Sequence, residues 1–194
     1  MIGRVCASMI DLTNRFGETP PRKYVQPHIR IEELMPVSQL RVQILRNSAS
    51  RRAISVIGMP DIPNTGSGVD PVALWQGPGD WHVYSQSLDA RALEAWGQNL
   101  SSESPFVLTE MSFANVVFEL SGKLSVDILL RDCTLDLLGG AISPVQCART
   151  QYAQTSVLIH RVQQVDVWRL FVERSVSQYV WEWLLDSASF ASMA

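Results

Sequence analysis

Histidine and cysteine are scarce, with three of each among 194 residues. Cys6, Cys133 and Cys147 are odd in number and far apart, and no Cys-x-x-Cys occurs. That argues against a disulfide framework and for reduced thiols. His28, His82 and His160 are equally scattered, without His-x-x-x-His spacing or a nearby carboxylate pair, so no metal site is expected. Charge is sparse too: 16 basic against 19 acidic side chains give a net charge of −3, with no block of one sign. A nucleic-acid footprint is therefore not expected. Every apolar run is interrupted well short of the ~20 residues a membrane helix needs. The first residues lack the long apolar stretch and small-residue cleavage site of a secretory signal, which makes the cytoplasm the default.

The motifs of autonomous catalysis are missing as well. Gly66-Ser67-Gly68 has no Gly-Lys-Ser/Thr ending, and Gly77-Pro78-Gly79 lies between strands rather than before a helix, so both read as turns. No Gly-x-Ser-x-Gly elbow is present. Cys133 beside Asp132 and Asp136 reads as a packed structural thiol at a helix exit, because no histidine lies near it in sequence. Arg51-Arg52, Glu32-Glu33 and Glu103 read as solvated surface. No catalytic, cofactor-binding or metal residue is assigned.

What is present is a regular alternation of short elements. Residues 1–36, with Pro20-Pro21, Pro27 and Pro36, read as an extended N-terminal arm that orders against a partner. Leu40 to Leu45 alternates as a half-buried strand, and residues 48–57 suit a short helix. Val72 to Gln76 and Trp81 to Gln86 flank Gly77-Pro78-Gly79-Asp80 as a hairpin. Leu88, Ala92, Leu93, Trp96 and Leu100 form one helical stripe, and Phe106 to Glu110 returns as a strand. The plan then recurs. Phe113 to Leu120 is a strand with Ala114, Val116, Phe118 and Leu120 on one face, followed by a helix from Leu124 to Leu130 and a Gly139-Gly140 turn. Strands at 150–161 and 165–173 and a helix from Ser175 to Phe190 complete it. The expectation is an α+β protein made of two split-βαβ (ferredoxin-like) halves, 37–111 and 112–194, behind the arm.

Four stretches carry a family resemblance. Leu74-Trp75-Gln76-Gly77-Pro78-Gly79-Asp80-Trp81, Phe118-Glu119-Leu120-Ser121-Gly122, Cys133-Thr134-Leu135-Asp136-Leu137 and Tyr179-Val180-Trp181-Glu182-Trp183-Leu184-Leu185 together resemble the gamma subunit of heterotetrameric sarcosine oxidase. The likeness spans roughly residues 40–186. The family's Lys-Gly-Cys-Pro stands here as Arg131-Asp132-Cys133-Thr134, and its Asp-Val/Leu-Ser lead-in to the second half as Glu110-Met111-Ser112.

The resemblance implies a fold similar to the folate-binding aminomethyltransferases and an accessory role in oxidative demethylation of sarcosine or a related N-methyl amino acid. Large alpha and beta subunits would carry FAD, FMN, NAD and the tetrahydrofolate site of this one-carbon chemistry, with a small delta subunit completing the heterotetramer. The alternative is a free-standing folate-binding one-carbon protein, with Glu110 or Glu119 holding a pterin ring. In the terminal helix, Val176, Val180, Trp183 and Leu184 are expected to pack on the sheet. Trp181 lies off that stripe. Either a broad apolar stripe buries it within the chain with Trp183, or with Leu185 it is the candidate anchor for a partner subunit.

Overall fold

The computed structural model describes residues 21–44, 58–100, 106–137, 146–162 and 166–191. The suggested helix at 48–57, the first twenty residues of the arm, Cys6, Arg51-Arg52, Glu103 and the Gly139-Gly140 turn lie outside them.

Two antiparallel sheets organise the chain. One has five strands in the order β4-β5-β6-β3-β7: β3 (Ser38–Ile44), β4 (Gly66–Ser67), β5 (Val72–Gly77), β6 (Asp80–Ser85) and β7 (Phe106–Glu110). The other has six in the order β1-β2-β8-β11-β10-β9. Its strands are β1 (Lys23–Gln26), β2 (Ile29–Glu33), β8 (Asn115–Ser121), β9 (Cys147–Tyr152), β10 (Thr155–Arg161) and β11 (Val167–Glu173). Three α-helices are described, α1 (Ala90–Gln98), α2 (Ser125–Leu130) and α3 (Ser177–Ala191), the last entered through a 3₁₀ turn at Arg174–Val176.

Alternation along the strands decides the layering, because successive side chains point to opposite faces. Leu40, Val42, Trp81 and Val83 face α1 and bury Leu93 beneath them. Phe118, Leu120, Ile159, Trp168 and Leu170 face α2 and α3. The inner faces of the sheets meet through Val72, Leu74, Tyr84, Val117, Leu158 and Phe171. The result is a helix-sheet-sheet-helix stack. Helix α1 starts where the Asp89 side chain accepts the Ala92 amide at 2.8 Å, the N-cap bond its position suggests. It lies close on the sheet because Gly97 faces Leu40 where a Cβ would come within 2.8 Å of Cδ2. Along one edge the sheets are tied by a bridge between Thr65 and Gln146 and by the Cys147 amide donating to Asn64 O at 2.9 Å.

The strand order of the split-βαβ plan is present in both halves. In the first, β3, β5, β6 and β7 lie in the spatial order β5-β6-β3-β7. The equivalent positions in the second half are β10-β11-β8-β2. Its fourth strand thus comes from the N-terminal segment.

The reading of residues 1–36 as an extended arm is corrected over residues 23–33. Lys23 to Gln26 pairs with Ile29 to Glu32, and Ile31 then pairs with Leu120 of β8. The physical reason is alternation: Ile29 and Ile31 are buried while Arg30 is exposed, so the segment has an apolar face for the sheet. The tip of the hairpin sits on Gly122, whose φ is +118° and where a Cβ would lie 2.5 Å from His28 O. Only glycine suits that approach.

A second correction concerns residues 150–161. They are not one strand but the parts of a hairpin, β9 and β10, turning at Ala153 and Gln154, which have φ of 48° and 61°.

Candidate functional site

Between the two sheets lies a cavity of about 410 Å³. Its five-stranded wall carries Arg41, His82 and Gln76. Arg41 and His82 are direct cross-strand partners on β3 and β6. The facing wall carries the row Arg149, Leu158 and Phe171 on β9, β10 and β11, with Ser156, Glu173 and Asn115 on the next row. Met111 and Ala114, from the link between the halves, close one side. These residues are inward because their strand neighbours are the core of the outer faces: Leu40 and Val42 flank Arg41, and Trp81 and Val83 flank His82.

Both inner histidines are buried and held neutral. Burial, reinforced by repulsion from Arg149 and Arg41 and only partly opposed by Asp80, brings the His82 pKa down to about 3. Its ring meets Phe171 edge-on at 4.8 Å between centroids, and its Nε2 has no hydrogen-bond partner. Burial and the Arg169 charge bring His160 to about 4.

A polar chain bolts the sheets together beside this point. Arg169 donates to Glu119 at 2.8 Å and to the Tyr84 hydroxyl at 2.9 Å. Tyr84 Oη lies 3.0 Å from His160 Nδ1. With Arg169 donating to it, the phenol is left to donate to Nδ1, which places the imidazole proton on Nε2. Burial raises the Tyr84 pKa, so the phenol keeps that proton.

Arg41 is held by Asp80 through two bonds, 2.9 Å and 2.5 Å. Arg149 donates to the Gln76 side-chain oxygen at 2.9 Å.

The arrangement offers binding groups rather than a nucleophile. Among the described residues no Ser or Cys side chain is hydrogen-bonded to either imidazole. Cys147 is buried, its Sγ directed at the carbonyls of Thr65 and Trp75, and burial pushes the thiol up to about 12. Cys133 is half-buried, bridged to Tyr152 across the sheet edge, with Sγ 4.0 Å from Thr150 Oγ1. Among the described residues no cluster of His, Cys, Asp and Glu could hold a metal, and no helix is long and apolar enough to cross a membrane.

The two carboxylates suggested for a pterin ring are elsewhere. Glu119 is engaged with Arg169, and Glu110 accepts the Ser112 amide at 2.8 Å on the edge strand β7. Neither lines the cavity, where Glu173 stands instead.

The terminal helix also departs from the expected face. Its buried residues are Ser177, Val180, Trp181, Leu184, Ser187 and Ala188, whereas Trp183 is half-buried and donates through Nε1 to Asp132 at 2.6 Å. Trp181 is 8% exposed, lies 5.6 Å from the Phe118 ring and has the Arg22 guanidinium 5.8 Å from its centroid. Trp181 directly follows Val180 and precedes Leu184 by one turn, so all three fit one broad apolar arc. An indole so placed spends its surface inside the chain. Leu185 is half-buried against the same core. Trp181→Ala is expected to cost about 3–5 kcal/mol of stability, read as a large drop in the melting temperature of the chain. An unchanged melting temperature with weakened association to other subunits would reinstate the anchor.

Comparison with known proteins gives this geometry a lineage. The profile of the sarcosine oxidase gamma subunit family matches residues 61–190, more than half of the chain. The chain belongs to that family. No curated protein matches the sequence significantly. Among solved structures, the heterotetrameric sarcosine oxidase from Corynebacterium sp. U-96, in complex with pyrrole 2-carboxylate, is similar with a TM-score of 0.75 at 21% identity. The match covers 89% of this chain and 90% of that one. The glycine cleavage system aminomethyltransferase T from Bartonella henselae is similar at a TM-score of 0.61 and 12% identity, over 81% of this chain and 45% of that one. At these identities the two structures speak for the fold. The fold is thus shared with part of an aminomethyltransferase, as the resemblance implies.

The sequence carries only a local hint of the inner cleft. His82, Arg41 and Arg149 are far apart in the chain, and only the facing of the two sheets brings them together. The one available signal is local: Arg41 and His82 each sit between two core residues of a strand, so they had to line the other face.

Proposed function

We propose that this gamma subunit is the accessory, non-catalytic member of its complex and leaves redox chemistry to its partners. The observation that carries this is the state of its reactive groups: both inner imidazoles are buried and neutral, one locked in the Glu119–Arg169–Tyr84–His160 chain, and the inner thiol is masked. A general base poised near neutral pH would need the opposite tuning.

The finer reading follows from the family. The complex oxidatively demethylates sarcosine or a related N-methyl amino acid in the cytoplasm. Large alpha and beta subunits carry FAD, FMN and NAD and the tetrahydrofolate site, with a small delta subunit as fourth member. The two halves, 37–111 and 112–194, act as a paired platform with the N-terminal segment threaded into the second.

Coexpression with the large subunits of the complex tests this. The chain alone is expected to be colourless and without oxidase activity, and to copurify with yellow flavoprotein subunits at equal stoichiometry. Stoichiometric flavin in the chain alone, or a fully assembled and active oxidase lacking it, would overturn the reading.

A further inference from the structure

The inner cleft is more than a packing defect. A cavity of about 410 Å³ lies within the range of small-molecule sites. Two guanidiniums reach it from opposite walls, and their charges differ in how they are met. Arg41 is neutralised by Asp80 in a two-bond pair. The partner of Arg149 is the neutral oxygen of Gln76, and among the described residues no carboxylate forms an ion pair with it. His82 lines the same space, is only 3% exposed, and its Nε2 has no hydrogen-bond partner among the described residues.

The rest of the lining limits the ligand. Leu158 and Phe171 form an apolar wall beside Arg149, which suits a hydrocarbon or aromatic body. Glu173 stands on the same wall one row away, and with Asp80 on Arg41 the site has no surplus of positive charge for a multiply charged anion. A nucleotide or polyphosphate is disfavoured on that balance, whereas a single carboxylate can exchange for the neutral Gln76 oxygen on Arg149, the guanidinium of the pair without a carboxylate partner among the described residues.

We propose that the cleft between the sheets binds a small monocarboxylate, its carboxylate held by Arg149 and its apolar body laid against Leu158 and Phe171. The inference goes beyond the accessory role and stands or falls without it.

Titration calorimetry of the full chain with benzoate tests it, with benzylamine and inorganic phosphate as parallel probes. Saturable one-to-one binding of benzoate is expected, weakened at least tenfold in Arg149→Gln and unchanged in Arg30→Gln, whose side chain pairs with Glu32 on the distant hairpin. Arg149 is an exposed side chain, and an unaltered melting temperature of Arg149→Gln would confirm that the fold is kept. Absence of saturable benzoate binding would overturn the proposal, as would equal affinity in Arg149→Gln. Benzylamine binding as tightly as benzoate would overturn the charge assignment, and phosphate doing so would reduce the cleft to an inorganic-anion site.

Discussion

Ile31→Asp is expected to abolish cooperative folding of the whole second half, although residue 31 lies in a segment that composition alone marks as a tail. Ile31 is 0% exposed, pairs with Leu120 and belongs to the same core as Phe118, Ile159 and Trp168. Replacing it removes a buried aliphatic side chain, worth about 2–5 kcal/mol in truncation series. It also asks a carboxylate to enter a site without a partner, which costs several kcal/mol more or forces protonation. A domain of this size has only about 5–15 kcal/mol to lose. Arg30→Ala is the matched control: its side chain is exposed and pairs with Glu32 at 2.6 Å, and its loss should shift stability by less than about 0.5 kcal/mol. Near-ultraviolet circular dichroism and urea unfolding of the two variants decide the matter. A native-like spectrum and midpoint for Ile31→Asp would mean that the hairpin is peripheral after all.

That contrast explains what could be read in the sequence. The β5–β6 hairpin was legible because its turn is spelled in glycine, and Gly79 indeed has φ of +74°. Helix α1 was legible from one apolar stripe and an Asp at its start. The β9–β10 turn was not, since it places Ala153 and Gln154 at positive φ, where Asn or Gly is the usual signal. The N-terminal hairpin was masked by its prolines, although Ile29-Arg30-Ile31-Glu32 alternates cleanly. No local pattern could have told that it fills the fourth position of a half whose other strands lie some ninety residues and more downstream, because strand order is settled by long-range packing. The cleft is hidden for the same reason. Its walls belong to different halves, and each cationic residue looks like an ordinary polar position of its own strand.

Acidification to pH 5 is expected to destabilise the chain through its two inner histidines. A buried imidazole whose folded pKa is depressed binds its proton in the unfolded state first. Between the unfolded value near 6.5 and the folded values of about 3 for His82 and about 4 for His160, the unfolded chain therefore carries more protons. Stability is full above pH 6.5 and falls as the pH drops through that window. Each imidazole approaches a slope of about 1.4 kcal/mol per pH unit below about pH 6, so the pair should remove about 3 kcal/mol between pH 6.5 and 5. Burial is the leading cause at both sites, with the guanidiniums of Arg149 and Arg41 adding to it at His82 and that of Arg169 at His160. Asp70 does not add to the effect there, because its pKa is lowered and its own contribution is lost only at more acid pH. The hydrogen bonds of Ser85 and Ser87 to its carboxylate outweigh the burial that opposes them. His82→Phe keeps a ring against Phe171 and removes one of the two protonation sites, and so should roughly halve the slope. Urea unfolding at half-unit intervals from pH 7.5 to 5 measures both curves, and a flat wild-type profile across that range would show that the inner histidines are not desolvated in the native chain.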